Sequence, residues 1–503
     1  MVDLGTILMG LGDAFHPMVL VAIVTGVALS QFVGALPGVG PVIVMAIAIP
    51  YTLTFEPLVG IAFLVGSMKG GSIGGAIPAI ILNTPGTPDT AMTTLDGHPM
   101  ARKGQAKKAL KMATWSSVTG DTVSDLVLIT VAAPLAFFAL RMGPVEIFAL
   151  MVLAFAVISA LSGRSLSKAL IAAALGIFVS LIGTDPDYGL PRLTFGNFEL
   201  FDGVPQVPVA IGVLVLSEIV LRLAGVGRRS QSVIDMDASA DPTDDTLSFR
   251  EYWACRFVML RGAFFGTMVG ALPGIGSSAA ASMSYVSAKA AAKDASSFGK
   301  GDIRGVASVE SANSAVAGAN LIPLLALGIP GSVTAALVLS AFMVHGIQPG
   351  PLIFENQGRL IYGLFGAMMI ANVVNLGLGL VGWRIWVRIA RAPETMIFAS
   401  AIILCIVGST VISGGTFGLA ILLGFTVLGV LMKVYDYPVI VFIIAFFLGP
   451  RLERSLGQTL SLLTGDLTNI VQFPVAIALL AISVVVLAVF FIRNRRDQDR
   501  HSA

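Results

Sequence analysis

Gly34-Ala-Leu-Pro-Gly-Val-Gly40 recurs 236 residues later as Gly270-Ala-Leu-Pro-Gly-Ile-Gly276, with six of seven positions identical. A second pair follows in the same order. Residues 77–91 (IPAIILNTPGTPDTA) align with 322–336 (IPLLALGIPGSVTAA) and share the dipeptides Pro85-Gly86 and Pro330-Gly331. Two landmarks repeated in order mark an internal duplication, which has to be read before any single motif. All four segments put Gly and Pro inside apolar sequence, so each breaks a helix.

The surrounding composition says where those helices lie. Hydrophobic residues make up 56% of the 503-residue chain and charged residues 12%, against about 25% charged in soluble domains. Mean hydropathy is +0.89. A water-facing globule of this size could not be coated with so few charges. The expected fold is an all-α polytopic membrane protein. Apolar spans at 15–33, 57–82, 113–140, 145–162, 166–183, 204–223, 255–272, 306–328, 331–345, 358–384, 395–413, 416–432, 437–450 and 468–492 predict about 10–14 membrane segments. The stretch 225–252 is a hydrophilic linker, expected to be cytoplasmic, between a first membrane repeat (1–224) and a second (253–503). The N-terminus lacks a basic n-region, so the first apolar span is expected to be retained. A net charge of +2 gives no nucleic-acid signal. Cys255 and Cys405 form no metal or redox motif and read as buried thiols.

Loop charge bears on orientation. After the first PG motif come Arg102, Lys103, Lys107, Lys108 and Lys111; the equivalent loop near 345–357 has no Lys or Arg. Conversely, 50–57 has none, whereas 288–304 holds Lys289, Lys293, Lys300 and Arg304. Because basic loops stay cytoplasmic, the swap predicts two inverted-topology repeats with broken or re-entrant helices, the architecture of secondary transporters. Arg493, Arg495, Arg496 and Arg500 place the C-terminus in the cytoplasm.

A helix broken in lipid leaves backbone groups unpaired, at several kcal/mol each, and persists only where protein or a wet cavity satisfies them. A helix N-terminus so exposed suits a carboxylate. Candidate substrate-binding residues are therefore Gly38, Gly40, Asn83, Thr84, Pro85, Gly86, Thr87, Asp89 and Thr90 in the first half. In the second they are Gly274, Gly276, Ser277, Pro330, Gly331, Ser332 and Thr334. The two PG motifs are expected to approach each other near the bilayer midplane. Lys69 could attract an anionic substrate or snorkel to an interface. Asp121 and Asp125, four apart on one helix face, could form a cation or proton site or a polar helix start. Glu310, Asn313 and Asn320 precede the second PG motif and are either further cation-coupling candidates or caps. Gly70, Gly71, Gly74 and Gly75 fit tight helix packing.

These motifs resemble the large membrane subunit of the tripartite tricarboxylate transporters, the TctA family. The matching runs are GALPGVG (34–40), LNTPGTPDTAMTTLDGHPMARKG (82–104), GALPGIG (270–276) and ESANSAVAGANLIPLLALGIPGS (310–332). The resemblance implies a multi-pass permease of the bacterial inner membrane for small carboxylates such as citrate-like anions. It implies a small four-helix membrane subunit (TctB-like) and a periplasmic solute-binding protein (TctC-like) as partners, and a cation gradient as the energy source. Lys69 departs from the pattern, standing where an aromatic, commonly Tyr, is expected before the glycine pair.

Other classes fare worse. Gly70-Gly-Ser72-Ile-Gly74 matches a nucleophile-elbow pattern, but that motif needs a strand-to-helix turn and a nearby base; an intramembrane hydrolase is not expected, and the chain is read as no enzyme. No GxxxxGK[ST] occurs to bind nucleotide. Two pseudo-symmetric halves favour alternating access over a channel. A stand-alone secondary carboxylate carrier would look the same from this chain. No cofactor and no resident metal are expected, only Na+ or H+ as the coupling ion.

Overall fold

The computed structural model describes residues 3–36, 40–161, 165–185, 189–225, 246–389, 394–413, 415–464 and 466–502. Gly38 and linker residues 226–245 lie outside them. The first half contains α1 (Leu4–Asp13), α2 (Pro17–Gly34), α3 (Pro41–Thr52), α4 (Pro57–Ile81), a 3-10 turn (Pro88–Thr93), α5 (Thr94–Arg102) and α6 (Ala106–Ala139). It continues with α7 (Pro144–Leu161), α8 (Leu166–Ser180), α9 (Gln206–Ala210) and α10 (Ser217–Leu223), the last two joined by a π-helical turn at Ile211–Leu216. The second half contains α11 (Phe249–Ala254), α12 (Arg256–Gly270), α13 (Ser277–Ala290), α14 (Ile303–Ala319), α15 (Leu321–Leu327), α16 (Val333–Val344) and α17 (Ile353–Asn356). After them come α18 (Gly358–Ile389), α19 (Glu394–Ile412), α20 (Thr416–Val434), α21 (Val439–Leu462) and α22 (Pro474–Ser502). Among the described residues the only strands are β1 (Gly183–Thr184) and β2 (Pro191–Arg192), paired antiparallel.

The starts of these helices follow local chemistry. Proline opens α2, α3 and α4, where its missing N–H costs nothing and its fixed φ suits the first turn. Ser248 and Glu251 form a reciprocal capping box on α11. Seven helices are long and apolar enough to cross a membrane, and six shorter apolar helices accompany them among the described residues. Phe264, Val373, Val411 and Val484 are exposed, an arrangement that suits lipid and would be unfavourable in water. The chain is an all-α polytopic membrane protein.

The helices sort into two compact units, and each draws on both halves of the sequence. Unit 1 comprises residues 1–134, 222–272 and 276–404; unit 2 comprises 135–221, 273–275 and 405–503.

In unit 1, α4 lies along α2 through a glycine ridge. Methyl groups added at Gly66, Gly70 and Gly74 would come within 2.9, 2.5 and 2.8 Å of the carbonyl oxygens of Ile23, Val27 and Gln31. Backbones meet this closely only where side chains are absent. The second half repeats the packing with the glycines on the other partner: Gly262 and Gly270 of α12 face the carbonyls of Ser308 and Val316 on α14. Ion pairs fasten the start of each long helix that follows a PG motif. Arg359 of α18 grips Asp13 at 2.6 and 2.8 Å, and Lys108 of α6 meets Glu251 at 2.5 Å.

In unit 2, Gly176 of α8 packs on the Phe442 carbonyl of α21. The π-helical turn brings Gly212 against the Leu422 carbonyl of α20. Val145 and Ala149 of α7 cluster with Ala476 of α22. Arg192 bridges Asp185 and Glu453 at 3.1 and 2.5 Å.

Candidate functional site

The first PG break is built against glycine backbone. α4 ends with Asn83 in the left-handed region (φ 52°), after which Thr84 turns back to donate through its amide to the Pro78 carbonyl at 3.3 Å. Pro85 then delivers Gly86, whose amide donates to the Gly75 carbonyl at 3.2 Å. A methyl group at Gly86 would lie 2.6 Å from the Gly75 Cα and 2.8 Å from the Gly34 carbonyl. Thr87 and Thr90 form a capping box on the 3-10 turn, with Thr87 packed on Gly40. In the second half Gly331 sits in the same way against the Gly270 carbonyl and the Asn320 side chain. Asn320, between α14 and α15, thus stands where Gly75 stands in the first half. Pro330 is buried; Ser332 caps α16 by accepting from the Ala335 amide at 3.2 Å and pairs with Thr334 at 3.0 Å.

Each PG segment is brought to the GALPG helix of the other half. Asp89 accepts a hydrogen bond from the Ser278 hydroxyl at 2.9 Å at the start of α13, with Ser277 beside it. Gly276 precedes that helix at φ 78° and has no side chain to cap it, so Asp89 supplies the anion that a helix N-terminus favours. Reciprocally, α16 packs on α3, which opens at Gly40. Gly274, in unit 2, holds φ 89° against Ile158. Asn83, Thr84, Thr87, Asp89, Ser277, Ser278, Ser332 and Thr334 all keep partial or full exposure. They form a hydroxyl-rich layer at the breaks.

A second layer is buried and ionisable. Lys69, Asp121, Asp125 and Glu310 are all 0% exposed, and Asn313 and Asn320 are buried on or beside α14. Lys69 reaches neither a membrane interface nor an open cleft. Its ammonium lies 2.7 Å from Asp125 and 3.4 Å from Asp121, so it is the counter-ion of two carboxylates and not an unpaired cation awaiting an anion. The same contacts put Asp121 and Asp125 in the interior of α6 and not at a polar helix start. The Asn372 amide donates to Asp125 at 2.7 Å. Asn375 donates to the Lys69 carbonyl at 3.1 Å and accepts from Gln31 at 2.7 Å. Glu310 has different company: its carboxyl meets the hydroxyls of Thr93 and Ser117.

The DGHP segment has a structural role that sequence reasoning missed. One oxygen of the buried Asp96 accepts from the amides of Gly299, Gly301 and Asp302 at 2.9, 2.9 and 2.8 Å, and the other from the Tyr285 hydroxyl at 2.9 Å. Beside it, burial alone would raise the Asp302 carboxyl, but hydrogen bonds from Arg304 and Ser297 hold it below the ordinary carboxylate range. Gln31, Asn372 and Asn375 were also missed. An amide pair three apart within the apolar run 358–384 was the available signal.

A family model described as "Tripartite tricarboxylate transporter TctA family" matches residues 20–444. Two proteins of Agrobacterium vitis are similar. One, named as an uncharacterized 52.8 kDa protein in the TAR-I ttuC' 3' region, is 35% identical over 97% of this chain and 97% of its own length. The other, named as an uncharacterized protein in the TAR-II ttuC' 3' region, is 38% identical over 46% of this chain and 98% of its own length. No solved structure matches. With the paired helix breaks, the many membrane-length helices and a match across residues 20–444, the chain belongs to the tripartite tricarboxylate transporter TctA family, as the large membrane subunit of a tripartite transporter.

Proposed function

We propose that this chain is the permease through which a small di- or tricarboxylate is imported across the bacterial inner membrane, driven by a cation gradient. It works with a small four-helix membrane subunit and a periplasmic binding protein that delivers the substrate. The C-terminus is cytoplasmic, and the two halves are inverted repeats. The observation that carries the reading is Asp89, a carboxylate docked on serine hydroxyls at the start of a broken helix. It displays, within the protein, the chemistry by which a substrate carboxylate would be held. At the equivalent break Ser332 and Thr334 bring hydroxyls and no acid, which leaves that place to an anion from outside.

Import of a trianion against an inside-negative potential costs about 7 kcal/mol at 100 mV, from ~2.3 kcal/mol per charge. Co-transported cations must outweigh the substrate charge. Glu310 is the proton carrier in this reading: its partners are two hydroxyls, and one of them, Thr93, ends the 3-10 turn that follows the first PG break. A proton arriving there would be felt at the substrate layer.

The test is uptake of labelled citrate into proteoliposomes holding both membrane subunits, with binding protein outside and proton and sodium gradients imposed separately. Uptake should follow the proton gradient and vanish without binding protein. Glu310→Gln should abolish gradient-driven uptake while exchange of internal for external citrate persists. Uptake that ignores both gradients and requires ATP would overturn the reading. Uptake without binding protein would favour a stand-alone carrier.

A further inference from the structure

The ion cluster in unit 1 has more buried acceptors than donors. Both carboxylate oxygens of Asp121, Oδ1 of Asp125 and Oδ1 of Asn372 are buried and receive no hydrogen bond. The only cation among them is the Lys69 ammonium, held between the two carboxylates at 2.7 and 3.4 Å. Oxygen-rich and donor-poor surroundings suit a hard monovalent cation. An ammonium in contact with both carboxylates fills the position from which one bound ion would touch both.

Lys69 is also fixed in place. Asn375 ties its carbonyl to α18, and Gln31 of α2 ties Asn375. The ammonium, covalently part of α4, therefore cannot exchange with ions from solution. The other titratable groups facing α6 are Glu310 on α14, bound to Ser117 one turn before Asp121, and Glu251 and Tyr252 on α11, which meet Lys108 and Thr119; Gln31, which reaches Asn375 from α2, is neutral.

We propose that Lys69 is a built-in cation occupying a latent alkali-cation site formed by Asp121, Asp125 and Asn372, so that sodium does not bind there in this protein. Removing the side chain opens the site. The significance of this proposal rests on the cation-coupled reading above, but its test does not, because the readout is equilibrium binding and not transport.

The purified large subunit, reconstituted in nanodiscs, is melted in sodium chloride and in choline chloride at equal ionic strength, and its retention of radioactive sodium is measured. Wild type should melt alike in both salts and retain no sodium above the choline control. Lys69→Ala should be less stable in choline and recover in sodium chloride. It should recover also in n-propylammonium chloride, which restores the atoms removed. It should retain sodium about tenfold above the choline control, where wild type retains none, a tenfold step being ~1.4 kcal/mol in a binding constant. Lys69→Arg, which keeps a cation in place, should behave as wild type. Sodium binding by wild type that Asp121→Asn abolishes would place the ion among these carboxylates and overturn the proposal. A Lys69→Ala protein rescued by neither cation overturns it too and leaves Lys69 a structural ion pair. Gradient-insensitive uptake would instead defeat the transport reading and leave this binding result standing.

Discussion

At the residue scale, buried polar groups separate by the partners they find. Asp96 is a brace: one oxygen gathers three amides of the loop before α14, and this ties the segment after the first PG break to the second half of the chain. Asp96→Ala would orphan three N–H groups at about 1–3 kcal/mol each. No folded protein is expected by size-exclusion in detergent. Asp96→Asn keeps one acceptor oxygen and should fold with a lowered melting temperature, a loss of about 1–3 kcal/mol. A wild-type melting temperature for Asp96→Ala would show that the brace carries nothing. Asp96 was legible as part of the DGHP run, but its role was not. A carboxylate that grips backbone amides 203 to 206 residues away leaves no pattern in local sequence.

At the scale of elements, the two PG breaks share a plan and differ in tolerance. Gly86 meets backbone on both sides, with the Gly75 Cα at 2.6 Å and the Gly34 carbonyl at 2.8 Å. Gly331 meets the Asn320 side-chain oxygen at 2.7 Å and a carbonyl at 3.2 Å. A side-chain amide can swing aside; a helix backbone cannot. Gly86→Ala should therefore destabilise by about 1–3 kcal/mol through overpacking and abolish uptake. Gly331→Ala should retain partial uptake, and Gly331→Val should abolish it with membrane insertion intact. Uptake assays with quantified membrane protein would check the order, and equal loss in both alanine variants would contradict it. The duplication predicted these breaks from sequence because Gly and Pro are the residues a helix cannot absorb silently. Which neighbour each glycine meets was a matter of packing.

At the scale of the whole molecule, the proposed inversion of the two halves makes a topological prediction. Arg102, the last residue of α5, and Gln357, just after α17, are exposed positions that follow the two PG motifs. Cysteines placed there singly should react with an impermeant thiol reagent from opposite sides of the membrane. The native Cys255 and Cys405 are buried and should stay silent. Labelling of both positions from one side would refute the inverted arrangement. Each compact unit draws on both sequence halves, so truncation at the linker should yield two fragments that fold poorly apart and recover only on co-expression, as read by detergent-resistant yield.

The sequence by itself determined the all-α membrane class, the duplication and the positions of the helix breaks. Hydropathy, Gly and Pro act locally and leave a record at every residue. It also flagged Lys69, Asp121, Asp125 and Glu310 as costly in an apolar setting, since an ionisable group in lipid stands out whatever surrounds it. Only the tertiary structure decided which of these groups answer one another. Lys69 closes on Asp121 and Asp125 because α4 and α6 pack side by side, and Glu310 is left with two hydroxyls because α14 meets α6 one turn earlier. Asp89 finds the start of α13 across 189 residues of chain. The electrostatics of a buried group depends on distances of a few ångströms between helices, and composition and spacing along the chain do not encode those distances.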